Sequence, residues 1–298
     1  MAAIGLLGVP ANSSGRSDGV ARAPAALREA GIVEALRRRT DVTDYGDVTL
    51  PDPSPERDVT PHLIDPVGLA TLVTRVRDSV ASILSDGHRP LVIGGDCPLL
   101  LGCLAAAVTE GRVQLLFVDG HEDAYLPEQS STGEAADMEL AFALGMADRS
   151  WSPEFAAVCP HVEATDVRIL GPRDAGTLRE EGIPSLGDSL SFVSGAHLAA
   201  DPAGQTRAAV SSLTHPWWFH LDLDVLSKEA LPAVDYPQDG GLAWEDLDEV
   251  TSQALGAEPS GWDITIYNPD LDPARTHARR IVEFVSSAIR EPPASARW

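Results

Sequence analysis

Apolar and polar positions follow two different periods along this chain. Short unbroken apolar runs occupy residues 3–9, 90–93, 113–118, 167–170, 217–223 and 262–267. Runs of that length, rich in β-branched and aromatic residues, predict strands buried on both faces. Between them, residues 24–38, 67–84, 98–109, 243–255 and 275–289 carry apolar residues at helical spacing. The first of these has Pro24 in its opening turn, where the missing N–H costs nothing. Strands alternating with helices predict an α/β fold with a mostly parallel sheet covered on both faces. Residues 51–61 read as a proline-rich surface loop and residues 291–298 as a loose tail. Neither has the character of a linker and no internal repeat is visible, so residues 1–298 read as one domain.

In sheets of this kind, ligands bind outside the carboxyl ends of the strands. Three polar clusters fall there: GGDC at 94–97, DGHED at 119–123 and DLD at 222–224. Asp119, His121 and Asp123 are spaced two apart, and on an extended segment such residues project to the same side. Asp222 and Asp224 repeat the spacing. If both strands share one sheet, four carboxylates meet, and without a cation some must take up protons. A divalent ion removes the conflict, and one histidine among several aspartates suits Mn²⁺. A lone D-x-D after a strand is accounted for by turn capping. The pairing of D-x-H-x-D with a second D-x-D is better accounted for by metal.

Charge narrows the partners. Asp and Glu number 45 against 22 Lys and Arg, a formal net charge of −23, and Lys228 is the only lysine. A chain this acidic lacks the basic footprint that nucleic acid or an anionic membrane requires. Three irregularly spaced cysteines, Cys97, Cys103 and Cys159, form no disulfide framework and point to a reducing compartment, here the cytoplasm. No apolar stretch approaches the roughly 18–20 residues that span a bilayer. The apolar start lacks a basic region before it and reads as a first strand rather than a targeting segment. The GGD at 94–96 has neither the G-x-G-x-x-G nor the G-K-[ST] form of a phosphate loop. What remains is a small-molecule substrate. Trp217 and Trp218 read as sheet packing; of His197, His215 and His220, only His220 stands close enough to an aspartate cluster to support it.

Several segments, in order, resemble the ureohydrolase superfamily of arginases and agmatinases. IGLLGVPANSSGRSDGVARAPAALREAGI resembles the family's first strand, loop and helix, and DVTDYGDV its second strand. GGDCPLLLG resembles G-G-D-H-S, and DGHEDAYLPEQSSTGEAADMELAFALG resembles D-A-H-x-D…S-G-N-x-H-G. HLDLDVLSKEALPAVDYPQDGGLAWEDL resembles S-x-D-x-D…G-T-P…G-G-L, and WDITIYNPDLD resembles D-x-x-E-x-N-P-x-x-D. The resemblance implies a three-layer α/β/α sandwich with a sheet of about eight parallel strands. It also implies two Mn²⁺ ions. Asp119, His121, Asp222 and Asp224 would hold one, and Asp119, Asp123, Asp222 and Cys97 the other. Such a pair activates water near neutral pH, and Asp123 would orient it for attack on a guanidine-like carbon.

The chain departs from the arginase pattern at three positions. Cys97 replaces a histidine ligand; a thiolate tilts the site toward Zn²⁺ or Fe²⁺, and the simpler reading is a buried thiol beside a weakly held ion. Ala136 replaces the histidine that passes protons to the leaving amine, and Glu134 or Asp137 is the available substitute unless both merely cap turns. Ile266 replaces the glutamate that grips the guanidinium, which argues against plain arginine or agmatine. Ser130 and Thr132 match hydroxyls that hold a substrate carboxylate, while Tyr125 and Tyr236 replace an Asn and a Thr of the pocket. Cys-for-His with a missing shuttle resembles the Nω-hydroxy-L-arginine amidinohydrolases of cycloserine biosynthesis. A hydroxyguanidine is less basic than a guanidine and needs less of a carboxylate grip. The other readings are a hydrolase of amide or formimino groups and a metal-binding pseudoenzyme. No oligomer-forming face is identifiable from the sequence.

Overall fold

The computed structural model describes residues 3–214 and 216–289. His215 and the predicted tail at 291–298 lie outside the described residues. Eight strands form one sheet: β1 Ile4–Val9, β2 Val42–Asp47, β3 Arg89–Gly94, β4 Gln114–Val118, β5 Val167–Leu170, β6 Ser191–Val193, β7 Trp217–Asp222 and β8 Gly261–Thr265. Their order is β2-β1-β3-β8-β7-β4-β5-β6, and every pairing is parallel. The expected α/β sandwich with about eight parallel strands is what the chain adopts.

The apolar runs are continuous because each strand feeds two cores. In β4, Leu116 and Val118 join one cluster while Leu115 and Phe117 join the other. In β7, Trp217, Phe219 and Leu221 face the first and Trp218 the second. Helices Ala23–Glu29, Ile32–Arg37, Trp244–Gly256 and Thr276–Ala288 cover the first face. Helices Pro66–Ser85, Leu99–Ala107, Glu139–Ala143 and Pro153–Val158 cover the second. Fully burying one such Leu or Phe side chain stabilises by about 1.5–3 kcal/mol.

The edges explain two departures from the expected pattern. β2 is an edge strand of largely polar residues, tied to the first helix by Arg28, which pairs with Asp44 at 2.9 Å and also with Asp47. β6, the other edge, has only three residues and escapes the sequence pattern. The single helix expected over 24–38 is two helices, because Gly31 adopts φ +91° and turns the chain between them. The remaining strand and helix limits move by one or two residues, as fraying ends do.

Chain order and sheet order differ where it matters. From β3 the chain passes over two positions to β4, runs outward to β6, then returns to fill the gap with β7 and β8. The four central strands are therefore β3, β8, β7 and β4, and their carboxyl ends carry GGDC, the segment after Thr265, DLD and DGHED. Gly95 lets the β3 end pass β1: a Cβ there would lie 2.1 Å from the Ala11 carbonyl oxygen and 2.9 Å from that of Val9. Those obstacles are backbone and cannot swing aside. Gly95→Ala should cost about 1–3 kcal/mol, read as a lowered thermal midpoint at unchanged far-ultraviolet circular dichroism.

Candidate metal centre

The two aspartate clusters sit on neighbouring strands, since β4 pairs directly with β7. The Gly120 amide donates to Asp224 Oδ1 at 2.9 Å, and His121 Nδ1 lies 2.8 Å from Asp224 Oδ2. Neither cluster is an extended segment as the spacing implied. Each is a turn: the His121 amide donates to Asp119 Oδ1 at 2.7 Å, and the Asp224 amide to Asp222 Oδ1 at 2.6 Å. Asp123 reaches the cluster through a left-handed backbone, φ +41°. The capping role and the convergence therefore coexist, because each capped carboxylate keeps one oxygen for the site.

Cys97 enters from β3. Its thiol donates to Asp222 Oδ2 at 2.8 Å and lies 3.1 Å from Thr265 Oγ1. His220, on β7, is fully buried; its Nδ1 lies 2.6 Å from Asp263 Oδ2, and its ring stacks on Phe117 at 4.8 Å. Glu139, also fully buried, opens the helix Glu139–Ala143. Two groups of ligand-type atoms result. One comprises Asp119, His121 and Asp224; the other comprises Cys97, Asp119, Glu139 and His220.

Proton affinities record the crowding. Burial, followed by the charge of Asp119, raises Asp123 and Glu139 well above the usual carboxylate range. Burial and Asp224 do the same to Asp222. Burial also raises Asp96 to about 6. Burial and then Asp222 push the Cys97 thiol well up. Asp119 is the exception: burial works to raise it, but His121 and His220 outweigh burial and hold it low. Asp119 Oδ2 and His220 Nε2 have no hydrogen-bond partner although buried. Unpaired buried acceptors beside carboxylates that resist ionising are the donor set a divalent cation satisfies.

A cleft of about 500 Å³ is lined by Asp96, the neighbour of Cys97, and by Glu134, Ala136, Asp235, Tyr236 and Ile266 among others. Glu134 accepts from the Tyr236 hydroxyl at 3.2 Å, and burial followed by Asp96 and Asp137 raises it to about 7. Ile266 has φ +71°, a rare backbone for a β-branched residue, and its amide donates to the Gly95 carbonyl at 2.9 Å. Holding such a residue costs about 1–3 kcal/mol, which the surrounding structure must supply.

The other expected substrate contacts, apart from Tyr125, adjoin Glu134, whose amide donates to Thr132 Oγ1 at 3.0 Å. Ser130 Oγ and Thr132 Oγ1 donate to Asp137 Oδ2 at 2.8 and 2.5 Å, so their hydroxyls already serve a carboxylate. The Tyr125 hydroxyl donates to Glu181 at 2.7 Å, away from Glu134 and Tyr236. His197 is bonded to Ser194 at 3.0 Å and takes no part in the cluster. Cys103 and Cys159 are buried among apolar side chains, as packing residues are. Among the described residues, no helix is long and apolar enough to cross a membrane. Glu139 and Asp263 were not singled out in the sequence. Their signal is a lone acid within an apolar run, MELAFAL and GWDITI.

Comparison with known proteins agrees with this architecture. The family model described as Arginase family matches residues 2–290. Arginase-1 from Sus scrofa is 27% identical over 300 residues, covering 96% of this chain and 91% of its own. The arginase of Bacillus caldovelox is 29% identical over 309 residues, covering 98% and 99%. The crystal structure of arginase from Bacillus cereus superposes with a TM-score of 0.82 at 26% identity, covering 98% of this chain and 99% of that one. With parallel strand tips that carry these acids in this order, and a match from one end of the sheet to the other, the chain belongs to the arginase family.

Proposed function

We propose that this protein hydrolyses a C–N bond in a small guanidino-type compound of low basicity, with two bound divalent ions, Mn²⁺ foremost. The observation that carries the reading is the meeting of Asp119 and His121 with Asp224, to which Asp222 is tied by the Asp224 amide. His121, Asp224, Asp119 and Asp222 form one ligand set; Cys97 and Asp123 complete the other with the same two aspartates. Ions held there supply Lewis acidity and a water activated near neutral pH. The second oxygen of Asp123 could accept a hydrogen bond from that water.

The chain's own residues then set the substrate. Ile266 offers no charge at its own position in the cleft, although Asp96, Glu134 and Asp235 also line it, and a hydroxyguanidine, being less basic, needs less of a carboxylate grip. Nω-hydroxy-arginine is the best candidate. Glu134 stands in the cleft that Ala136 also lines and carries a proton at near-neutral pH, so it is positioned to protonate the leaving amine. A second reading is favoured by Asp137: a protein carboxylate already occupies the Ser130 and Thr132 hydroxyls, which suits a substrate with no carboxylate of its own. Tyr125 and Tyr236 would shape the walls in either case.

Three measurements test this. In a panel of Nω-hydroxy-arginine, its decarboxylated analogue, arginine and agmatine, the hydroxyguanidines should exceed their parents in kcat/KM by at least about 10-fold. Hydroxyurea should be the co-product from the hydroxyguanidines, and a urea or substituted urea excludes simple amide cleavage. Preference between the two hydroxyguanidines decides whether Asp137 has displaced the carboxylate.

If Glu134 is the proton donor, its protonated form is required. Activity should fall as pH rises through about 7. Glu134→Gln should abolish that limb and lower kcat by about 10²–10⁴-fold, which a pH profile of wild type and variant would record.

The third is a melting experiment on metal-free protein. Asp96 and Glu134 hold protons when folded that they have lost when unfolded, at pH values above about 4. Their stabilisation is complete below that value and disappears as pH rises to about 6 and about 7. Protein treated with chelator should therefore melt lower at about pH 8 than at about pH 5.5, and added Mn²⁺ should restore the difference. A midpoint indifferent to metal at high pH would count against the whole centre.

A further inference from the structure

The proline-rich stretch before the helix Pro66–Ser85 does more than cover the surface. Arg57 and Ile64 pair as an antiparallel bridge, and the Asp58 amide donates to the Leu63 carbonyl at 2.8 Å. His62, at φ +69°, helps turn the chain between them. This hairpin lies against residues 127–133, the segment that leads into Glu134. The Ile64 amide donates to the Gly133 carbonyl at 2.8 Å. The Arg57 guanidinium spreads over the same segment. Its Nη2 donates to the carbonyls of Ser130 at 2.8 Å and Pro127 at 3.4 Å, and Nη1 to that of Ser131 at 3.1 Å. Nε turns back to the His62 carbonyl at 2.9 Å and fixes the fork. The approach is close enough to require a glycine. A Cβ on Gly133, itself at φ +80°, would lie 2.6 Å from Arg57 Nε and 3.0 Å from the His62 carbonyl oxygen.

Every acceptor of Arg57 is a backbone carbonyl, so this guanidinium braces the chain where most on this surface pair with an acid. The segment it braces is also closed from within. The Gly133 amide donates to Ser130 Oγ at 2.9 Å and the Glu134 amide to Thr132 Oγ1 at 3.0 Å. A planar fork can meet several carbonyls of one bend at once, whereas a lysine ammonium acts from a single point.

We propose that Arg57 is a positioning residue, which holds the 130–133 turn by its backbone and so places the Glu134 carboxyl in the cleft. Its charge is not the means. The groups that bear on Glu134 are Asp96 after β3, Asp137 beyond the turn, and Asp235 and Tyr236 ahead of β8; Arg57 is not among them. Released from the turn, Glu134 would gain water, and its carboxyl would return toward the ordinary range. Only the kinetic part of the test rests on the hydrolase reading.

In metal-loaded protein, the protonated-carboxyl stretch of Glu134, identified as the infrared band lost in Glu134→Gln, is followed against pH. In wild type it should titrate at about 7. In Arg57→Ala the midpoint should fall below about 6, toward the ordinary glutamate value of about 4.3. Arg57→Lys keeps the charge and should move the midpoint the same way by less; it decides the matter if Arg57→Ala fails to fold. In turnover, Arg57→Ala should lower kcat by about 10- to 100-fold and change KM by less than about 3-fold. Added to Glu134→Gln, it should lower kcat by less than about 3-fold, because the two residues act as one unit. A midpoint unmoved in Arg57→Ala, a fully additive loss in the double variant, or Arg57→Lys equal to wild type overturns the proposal. If Glu134→Gln leaves kcat unaltered, the proton-donor reading fails, and the infrared midpoint alone decides the role of Arg57.

Discussion

Mutual repulsion of buried carboxylates is the constraint on which this molecule turns. Asp119, Asp123, Asp222, Asp224 and Glu139 share a space at the centre of the sheet where water cannot screen them. A fold that places them there must leave them protonated or supply positive charge. His121 and His220 do part of this, and at Asp119 their effect outweighs burial. Burial and the neighbouring charges keep the protons on Asp123, Asp222 and Glu139. Cation binding releases both conditions together, so stability and chemistry at this centre are aspects of one electrostatic balance.

Much of the architecture was legible because the central strands are apolar on both faces, a pattern few other structures produce. Leu115 and Phe117 against Leu116 and Val118 is the clearest instance. The edges were not legible by the same rule. β2 alternates with solvent and was found only through its likeness to a family segment, and β6 is too short to register. The break at Gly31 was hidden because apolar spacing continues on both sides of a turn that reorients the helix.

For the site, the aspartate and histidine positions could be read from their place after strands. The turns that deliver them could not, since two-residue spacing suits both an extended strand and a capped bend. Asp263 opens the matched D-x-x-E-x-N-P-x-x-D segment, but its role, like that of Glu139, escaped for a different reason. Each is one acid within a run of apolar residues, and only the fold places it next to a histidine or a thiol from a distant part of the chain. Asp137 was read as a possible proton donor; its bonds to Ser130 and Thr132 give it instead the role of an internal carboxylate.

The late return of the chain to the middle of the sheet has a consequence for biosynthesis. β7 and β8 are the last strands made, yet they occupy the gap between β3 and β4. Until they emerge from the ribosome, the GGDC and DGHED tips belong to two half-sheets with no common floor. A nascent or truncated polypeptide therefore lacks Asp222, Asp224 and His220 together, and acquires its full complement of donors only when translation is nearly over. The order of the strands thus keeps the donor-bearing tips of β3 and β4 apart until β7 and β8 are made.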